Sequence, residues 1–411
     1  MAILHRTRTL PALMPRYTER FRCIGSACED TCCASWTIHI DKKTYKAYRQ
    51  EQSPELGKLL AKNLVRVGAD APTNAYALFR PAGDQQQCPV MQDGWCSIHK
   101  QLGDSHLPDV CFTYPRQTHE VAGQFEQSLS LSCPEAARLA LLAEDALEFV
   151  EGTVAVRESV ATAIESRHGL PLPLMNDVRI FCINLMRTRE LALWQRMALL
   201  GAFCDALSSR CEAGRHDTVP ALMEEFIGLI EGGELLASLS QFQPDVPAQA
   251  QVFATLWGEK GFEAPSHFQQ AVIRTISARL GANAEGKVDA GTLVAVYTRG
   301  LGRLEQALAA APYLLENYLV NEMFGRLFPF NAPTAYDGFM VLAARFGLLR
   351  LLLAAQCSGE GELPSTADLL AAVHLHCRRF QHDKSYTARI HAALRDSGWA
   401  SLDKLIALLR T

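Results

Sequence analysis

Residues 22–36 read RCIGSACEDTCCASW and place four cysteines within eleven positions: Cys23, Cys28, Cys32 and Cys33. In a reducing compartment thiols stay free, so a dense group of them is typical of metal or cluster ligands rather than of a disulfide framework. The flanking sequence is irregular, with short runs that favour a strand or a helix but no sustained period. We therefore expect an irregular, cysteine-rich module at this end of the chain.

The cysteines continue beyond this stretch. Of thirteen in the chain, eight fall in the first third: Cys23, Cys28, Cys32, Cys33, Cys88, Cys96, Cys111 and Cys133. Tetrahedral zinc and an iron-sulfur cluster both take four thiolates, so the set forms either two sites or one site with surplus cysteines. Nearby histidines could replace a thiolate, namely His39, His99, His106 and His119. No C-x-x-C pair occurs, which weakens a zinc-ribbon interpretation, and the spacing leaves zinc and iron both open.

Adjacent cysteines constrain how the ligands are shared. If this stretch is helical, Cys28 and Cys32 lie on one face, whereas Cys32 and Cys33 point about 100° apart and serve one centre poorly. We therefore expect further ligands from the distant cysteines 88, 96, 111 or 133, which would pin separate segments together. The other five cysteines lie singly in helical patterns and predict small buried side chains; they are Cys182, Cys204, Cys211, Cys357 and Cys377.

Composition excludes several classes of protein. The chain has 411 residues, 48% of them hydrophobic, and its 40 basic and 44 acidic residues give a formal charge of -4. No global basic field therefore exists to hold a nucleic acid or an anionic membrane. The N-terminal residues lack the apolar core of a secretory signal. The most apolar window, 339–357, contains Arg345 and Arg350, which favours a buried core helix over a membrane span and a cytoplasmic protein.

The patterns predict a mainly α fold in two parts. Residues 1–133 form the cysteine-rich module, in which WTIHID predicts a short strand, Asp41 a helix cap, and VMQDGWCSI a tight turn between two extended pieces. Ser132 and Glu135 have capping-box spacing and Pro134 suits a first helical turn. From there, residues 134–411 predict a large all-helical domain.

Two segments are candidates for a nucleotide-type ligand. Gly300 and Gly302 imitate the start of a dinucleotide-binding turn, but Glu305 occupies the third glycine position and no doubly wound sheet is predicted, which favours helix-loop-helix. A second group, Glu316, Asn317 and Asn321, places polar side chains on an apolar helix. A carboxylate there could bind ribose hydroxyls and the amides a methionine group, although interhelical hydrogen bonds explain such residues equally well.

Five separated blocks carry a resemblance to a known family. They are RYTERFRCIGSACEDTCCASWTIHIDKKTYKAYR, CPVMQDGWCSIHKQLG, LPDVCFTYPRQ, SLSLSCPEAARLALL and LENYLVNEMFGRLFPF. Together they resemble the bacterial flagellin lysine N-methylases over most of the chain. The cysteine blocks alone are also similar to a wider group of zinc- or iron-chelating cysteine domains, and are less specific.

The resemblance implies methyl transfer from S-adenosylmethionine to surface lysines of flagellin, with an iron-sulfur cluster, of the 4Fe-4S type, held by the eight N-terminal cysteines; zinc is the alternative. It implies no catalytic base, and we know no motif that fixes one. The C-x-x-x-C-x-x-C run of radical S-adenosylmethionine enzymes is absent, so the expected step is a displacement by an amine. The alternative function is a non-catalytic iron-sulfur or zinc protein that docks on a partner or delivers metal. The oligomeric state is not predicted.

Overall fold

The fold is described from a computed structural model of the chain. It describes residues 4–5, 7–34, 36–83, 87–157, 162–258, 266–283, 285–383 and 385–411.

Helices dominate the described residues and confirm the mainly α prediction. Eighteen are present there: α1 Tyr17–Arg20, α2 Lys42–Arg49, α3 Leu56–Asn63, α4 Ser97–Leu102, α5 Asp109–Thr113, α6 Pro134–Leu142, α7 Leu172–Met186, α8 Leu193–Glu212, α9 Val219–Glu231, α10 Glu234–Leu239, α11 Val246–Trp257, α12 His267–Arg279, α13 Ala290–Leu308, α14 Leu314–Gly325, α15 Ala335–Cys357, α16 Thr366–Phe380, α17 Tyr386–Asp396 and α18 Leu402–Leu409.

The strands are short and fall in the first 163 residues of the described chain. They are β1 Arg8–Pro15, β2 Ile38–Ile40, β3 Val65–Arg66, β4 Ala77–Phe79, β5 Met91–Gln92, β6 Trp95–Cys96, β7 Arg116–Val121, β8 Gln124–Leu129, β9 Phe149–Val156 and β10 Thr162–Ala163. They form a five-stranded sheet in the order β10-β7-β8-β1-β9, a three-stranded sheet in the order β2-β4-β3, and the pair β5-β6.

The largest sheet joins the start of the chain to a segment beyond residue 134. Strand β1 pairs antiparallel with β9 from Arg8 opposite Val156 to Pro15 opposite Phe149, and parallel with β8 on its other edge. The prediction of helix throughout residues 134–411 is therefore wrong for β9. Its alternating valines suit a pleated strand, and the partner strand lies far away in sequence. The boundary between residues 133 and 134 stays a prediction.

The capping box predicted at the start of α6 is wrong. Cys133 is the N-cap residue and its side chain caps no backbone group. The Ser132 hydroxyl is instead hydrogen-bonded to Ser130 Oγ at 2.7 Å and to His382 Nε2 at 2.8 Å. Pro134 does occupy the first helical position as predicted. The serine thus ties the entrance of α6 to the end of α16.

Three local predictions in the N-terminal part are confirmed. Ile38–Ile40 is a strand, and the Asp41 carboxylate caps α2 by accepting from the backbone N–H groups of Lys43 and Thr44. Strands β5 and β6 are joined by Asp93 and Gly94, both with positive φ. That combination is the one required by a two-residue turn that matches strand twist.

Helix α15 forms the centre of the helical core. It is long and apolar enough to cross a membrane by length and composition, but its apolar window is entirely buried inside the fold. Its arginines are paired there: Arg345 lies 3.2 Å from Glu322, and Arg350 donates to Tyr297 Oη at 3.0 Å. The sequence prediction of a core helix agrees with this placement.

Gly300 and Gly302 lie within the continuous helix α13, so neither a phosphate-binding turn nor a helix-loop-helix forms there. A Cβ at Gly300 would fall 2.0 Å from the carbonyl oxygen of Ala354. Gly300 therefore allows α13 and α15 to pack closely, which is a structural role.

Candidate functional site

All eight N-terminal cysteines line one cavity of about 510 Å³, here called the cysteine cavity. They reach it from separate elements: Cys96 ends β6, Cys111 lies in α5 and Cys133 caps α6. The segment 22–36 thus supplies only half of the thiols, and distant segments supply the rest. Four of the five remaining cysteines are buried in the helical core, and Cys211 is partly buried, which fits their predicted role as small packed side chains.

The segment from Cys28 to Ala34 is irregular. No helix covers residues 28–33, where the preceding 3₁₀ turn ends at Ala27, so the argument from helix faces does not apply. Cys32 and Cys33 follow each other in a turn and both face the cavity. The turn is fixed by Trp36 Nε1, which donates to the Cys32 carbonyl at 2.6 Å, and by the Cys88 N–H, which donates to the Cys33 carbonyl at 2.6 Å.

Burial makes these thiols reluctant to ionise on their own. It raises the pKa of Cys28 and of Cys88 to about 12, and that of Cys133 to about 11. Without a cation these three thiols are therefore neutral near pH 7. A bound metal or cluster would stabilise the thiolates and release their protons, since thiolates are the form that binds.

The thiols of the cysteine cavity have the chemistry that a thiolate-bound metal or iron-sulfur cluster requires. The Cys32 thiol lies within electrostatic reach of six other thiols, those of Cys28, Cys33, Cys88, Cys96, Cys111 and Cys133. His99 also lines the cavity, where it lies 2.5 Å from Asp104. Among the described residues, however, no three His, Cys, Asp or Glu side chains are close enough together to hold an ion. Which four thiols ligate stays a prediction.

A buried polar cluster holds the cysteine loop on the helices. Asp30 Oδ2 accepts from Gln269 Nε2 at 2.8 Å and lies 2.7 Å from His374 Nε2. The side chains of Asp30 and His374 are only 1% and 2% exposed. Burial alone would raise the pKa of Asp30, but its hydrogen bonds with His374 and Ser266 and the nearby charge of Arg378 together outweigh burial and lower that pKa. The Asp30 carboxylate therefore anchors the cysteine loop to α12 and α16.

A larger cleft of about 760 Å³ adjoins the cysteine cavity. The two share a wall made of Trp36, Tyr114, Pro115 and Arg116. Sites for small molecules have volumes of about 300–1,000 Å³ and lie preferentially between parts of a fold. This cleft lies between the cysteine loop, the end of α5, and the helices α12 and α16, so it has the size and position of a ligand site.

The polar groups of the cleft are organised by short hydrogen bonds. Arg378 donates to the carbonyls of Thr31 and Ala34 at 3.2 and 3.1 Å, and Tyr114 Oη donates to the Ser132 carbonyl at 2.7 Å. The rings of Tyr114 and Trp36 lie 6.5 Å apart at 48°. Arginine and aromatic side chains therefore form a fixed inner wall.

The residues predicted to bind the methyl donor are buried in the helical core. Glu316 pairs with Arg189 and Arg196 at 2.9 and 2.7 Å. Asn317 donates to the carbonyls at 140 and 143, and Asn321 accepts from the Tyr17 hydroxyl at 2.6 Å. None of the three lines the cysteine cavity or the cleft. Their role in donor binding stays a prediction.

Sequence reasoning did not single out the aromatic and arginine residues of the cleft, although it named His39 as a possible ligand and Asp41 as a helix cap. Trp36 and Tyr114 lie inside the blocks CASW and FTYPRQ, but no period or spacing marks them as neighbours. Arg378 belongs to HLHCRRFQHD, which alternates too poorly for one helix face. The only available signal was that the blocks carrying the resemblance contain these aromatic residues.

The sequence is similar to a known family and to several known proteins. Residues 179–408 match the family described as the FliB lysine N-methylase C-terminal domain. Two proteins named Lysine-N-methylase, from Salmonella typhimurium and Salmonella choleraesuis, are each 24% identical over 395 residues, covering 92% of this chain and 93% of the relative. A protein named Flagellar biosynthetic protein FliU, from Salmonella muenchen, is 29% identical over 147 residues, covering 36% of this chain and 86% of the relative.

No solved structure matches the chain. The family match covers more than half of the sequence, and the two relatives named Lysine-N-methylase each cover 92% of it. The chain belongs to the FliB lysine N-methylase family.

Proposed function

We propose that this protein transfers methyl groups from S-adenosylmethionine to the ε-amines of lysines on flagellin. As a member of a lysine N-methylase family, it is a protein-lysine methyltransferase. The observation that carries the proposal is the end-to-end similarity to two proteins named Lysine-N-methylase. The flagellar name of a third relative supports flagellin as the substrate.

The reaction makes three demands on the chain. A lysine amine attacks the sulfonium methyl in line, so the lysine must be neutral, the two centres must be aligned, and water must be kept from the donor. A neutral amine is nucleophilic by itself, so a site that binds the lysine stem and accepts a proton suffices. The cleft supports binding of the lysine stem, because aromatic rings enclose one side of it and the other side is open.

The cysteine cavity is proposed to hold an iron-sulfur cluster of the 4Fe-4S type, with zinc as the alternative. Its eight thiols supply enough soft donors, and four bind per site. The group would stabilise the thiolates and cross-link β6, α5, α6 and the 22–36 loop. Iron and sulfide analysis of anaerobically purified protein tests this. Stoichiometric zinc in a colourless sample would overturn the cluster while leaving methylation intact.

The proposed location is the cytoplasm, where S-adenosylmethionine is available and unexported flagellin can be met. One relative with a methylase name and one with a flagellar name support it.

A mass measurement tests the activity. Purified protein is incubated with S-adenosylmethionine and flagellin from cells that lack a methylase, and the flagellin is weighed intact. The expected result is a gain in whole multiples of one methylene group, and no gain with flagellin whose lysines have been acetylated beforehand. An unchanged mass, in a preparation that still carries metal, would favour the non-catalytic metal carrier instead.

A further inference from the structure

We infer that the cleft binds S-adenosylmethionine, with its inner wall facing the donor and its solvent-exposed rim receiving the target lysine. The inference rests on the proposed function and deepens it, because it assigns that reaction to particular residues. Three observations carry it: polar atoms in the cleft wall without partners, the charged side chains around the cleft, and the position of the cleft beside the cysteine cavity.

Two buried polar atoms in the cleft wall lack partners. Gln269 is fully buried, and its Nε2 is used by Asp30, whereas its Oε1 has no hydrogen-bond partner within the described part of the chain. Thr113, at the end of α5, is partly buried, and its Oγ1 likewise has no hydrogen-bond partner among the described residues. Buried polar groups are nearly always paired, so such atoms in a cavity wall indicate a polar ligand. Gln269 Oε1 can accept from an amino group, and Thr113 can donate or accept.

The inner wall matches the remaining chemistry of the donor. Trp36 and Tyr114 offer ring faces to the adenine base and to the positive sulfonium, both of which aromatic faces attract. Arg378 and Arg379, at the end of α16, supply positive charge for the donor's carboxylate. The cleft therefore presents aromatic, cationic and amide side chains to S-adenosylmethionine, which has an adenine base and both positive and negative charges.

The cleft also contains two partly exposed carboxylates, which we place at its rim. Asp41 and Asp109 are 18% and 27% exposed. Asp109 lies 3.0 Å from Arg157, whereas Asp41 accepts from the backbone N–H groups of Lys43 and Thr44 and lies 3.7 Å from His5. A lysine ammonium is attracted to such a rim.

The transfer step then balances. The lysine ammonium loses one proton to water, its lone pair forms the N–C bond, and the C–S bonding pair returns to sulfur. The products are methylated lysine and S-adenosylhomocysteine, with one proton released per methyl group.

Isothermal titration with S-adenosylmethionine tests the site in the full chain. Asn74 and Thr73 are both exposed in the 3₁₀ turn Thr73–Ala75, but of the two only Asn74 lines the cleft. N74W should weaken binding more than about tenfold by filling the cleft, whereas the matched control T73W should leave it unchanged. T113V keeps the shape of the side chain and removes its polar atom, so it should weaken binding about two- to tenfold.

The outcomes separate the two levels of the argument. If the wild-type protein binds no S-adenosylmethionine, both the proposed function and this site are overturned. If N74W and T113V bind as tightly as T73W, the site is overturned while the function stands. Photo-crosslinking with methyl-tritiated S-adenosylmethionine adds a direct readout: label on residues that line the cleft, in the ranges 34–41, 109–117 and 378–382 or at Asn74, Ser130 or Gln269, supports the site. Label within residues 314–325, or anywhere else outside the cleft, overturns it.

Discussion

Replacing Asp30 with alanine should release the cysteine loop from the helical core. The carboxylate is 1% exposed and is bound by His374 and Gln269 at 2.7 and 2.8 Å. Hydrogen bonds to a charged group contribute about 1.5–3 kcal/mol each. D30A removes both bonds and leaves the buried polar groups of His374 and Gln269 unpaired. We therefore expect D30A to lower the free energy of local opening by about 3–6 kcal/mol.

Hydrogen exchange is the appropriate assay, because it reports local opening of one segment in a large protein. Peptides covering residues 22–36 and the start of α12 should lose protection, and the Cys28 and Cys32 thiols should react faster with a maleimide. D30N retains one acceptor oxygen and should fall between wild type and D30A.

The neighbouring carboxylate provides a matched control. Glu29 pairs with Arg138 at 2.6 Å, but the two side chains are 34% and 40% exposed. Exposed pairs contribute about 0–1 kcal/mol, so E29A should change protection little. A loss of under about 1 kcal/mol in D30A, or equal losses in D30A and E29A, would refute the argument that Asp30 anchors the loop.

Further predictions concern the helical core. G300A should cost about 1–3 kcal/mol in urea unfolding, because the added Cβ meets the Ala354 carbonyl. G302A meets nothing within 4 Å and should stabilise the helix by up to about 1 kcal/mol, so equal effects would contradict the packing role of Gly300. Burial lowers the pKa of His376, whose Nε2 is hydrogen-bonded to Tyr318, to about 3. The unfolded chain therefore takes up a proton first as the pH falls below about 6.5, and stability should drop by up to about 1.4 kcal/mol per pH unit. H376Q should flatten the profile between that pH and about 3, and an unchanged slope in H376Q would contradict the assignment.

Local chemistry explains what could be predicted from the sequence. Asp41 caps a helix and Asp93-Gly94 makes a turn because a few neighbouring residues decide those structures. The burial of α15, with its two arginines, follows from a nearly continuous apolar run. In each case the determining residues lie close together in the chain.

The missed features depend on distant partners. Strand β9 forms because it pairs with β1, which is more than 130 residues away in the sequence. The helix that precedes β9 favoured the prediction that the helical pattern continues. Ser132 could cap α6, but His382 and Ser130 compete for its hydroxyl. The cleft brings Trp36, Tyr114 and Arg378 together from three segments, and no spacing encodes that contact.

The most direct test of the account uses S-adenosylmethionine that carries a deuterated methyl group. After incubation with the protein, flagellin is digested and its lysine-containing peptides are sequenced by mass spectrometry. The account predicts intact deuterated methyl groups on lysine ε-amines, with S-adenosylhomocysteine formed in equal amount. Unlabelled lysines, from protein that retains its metal and its fold, would contradict it.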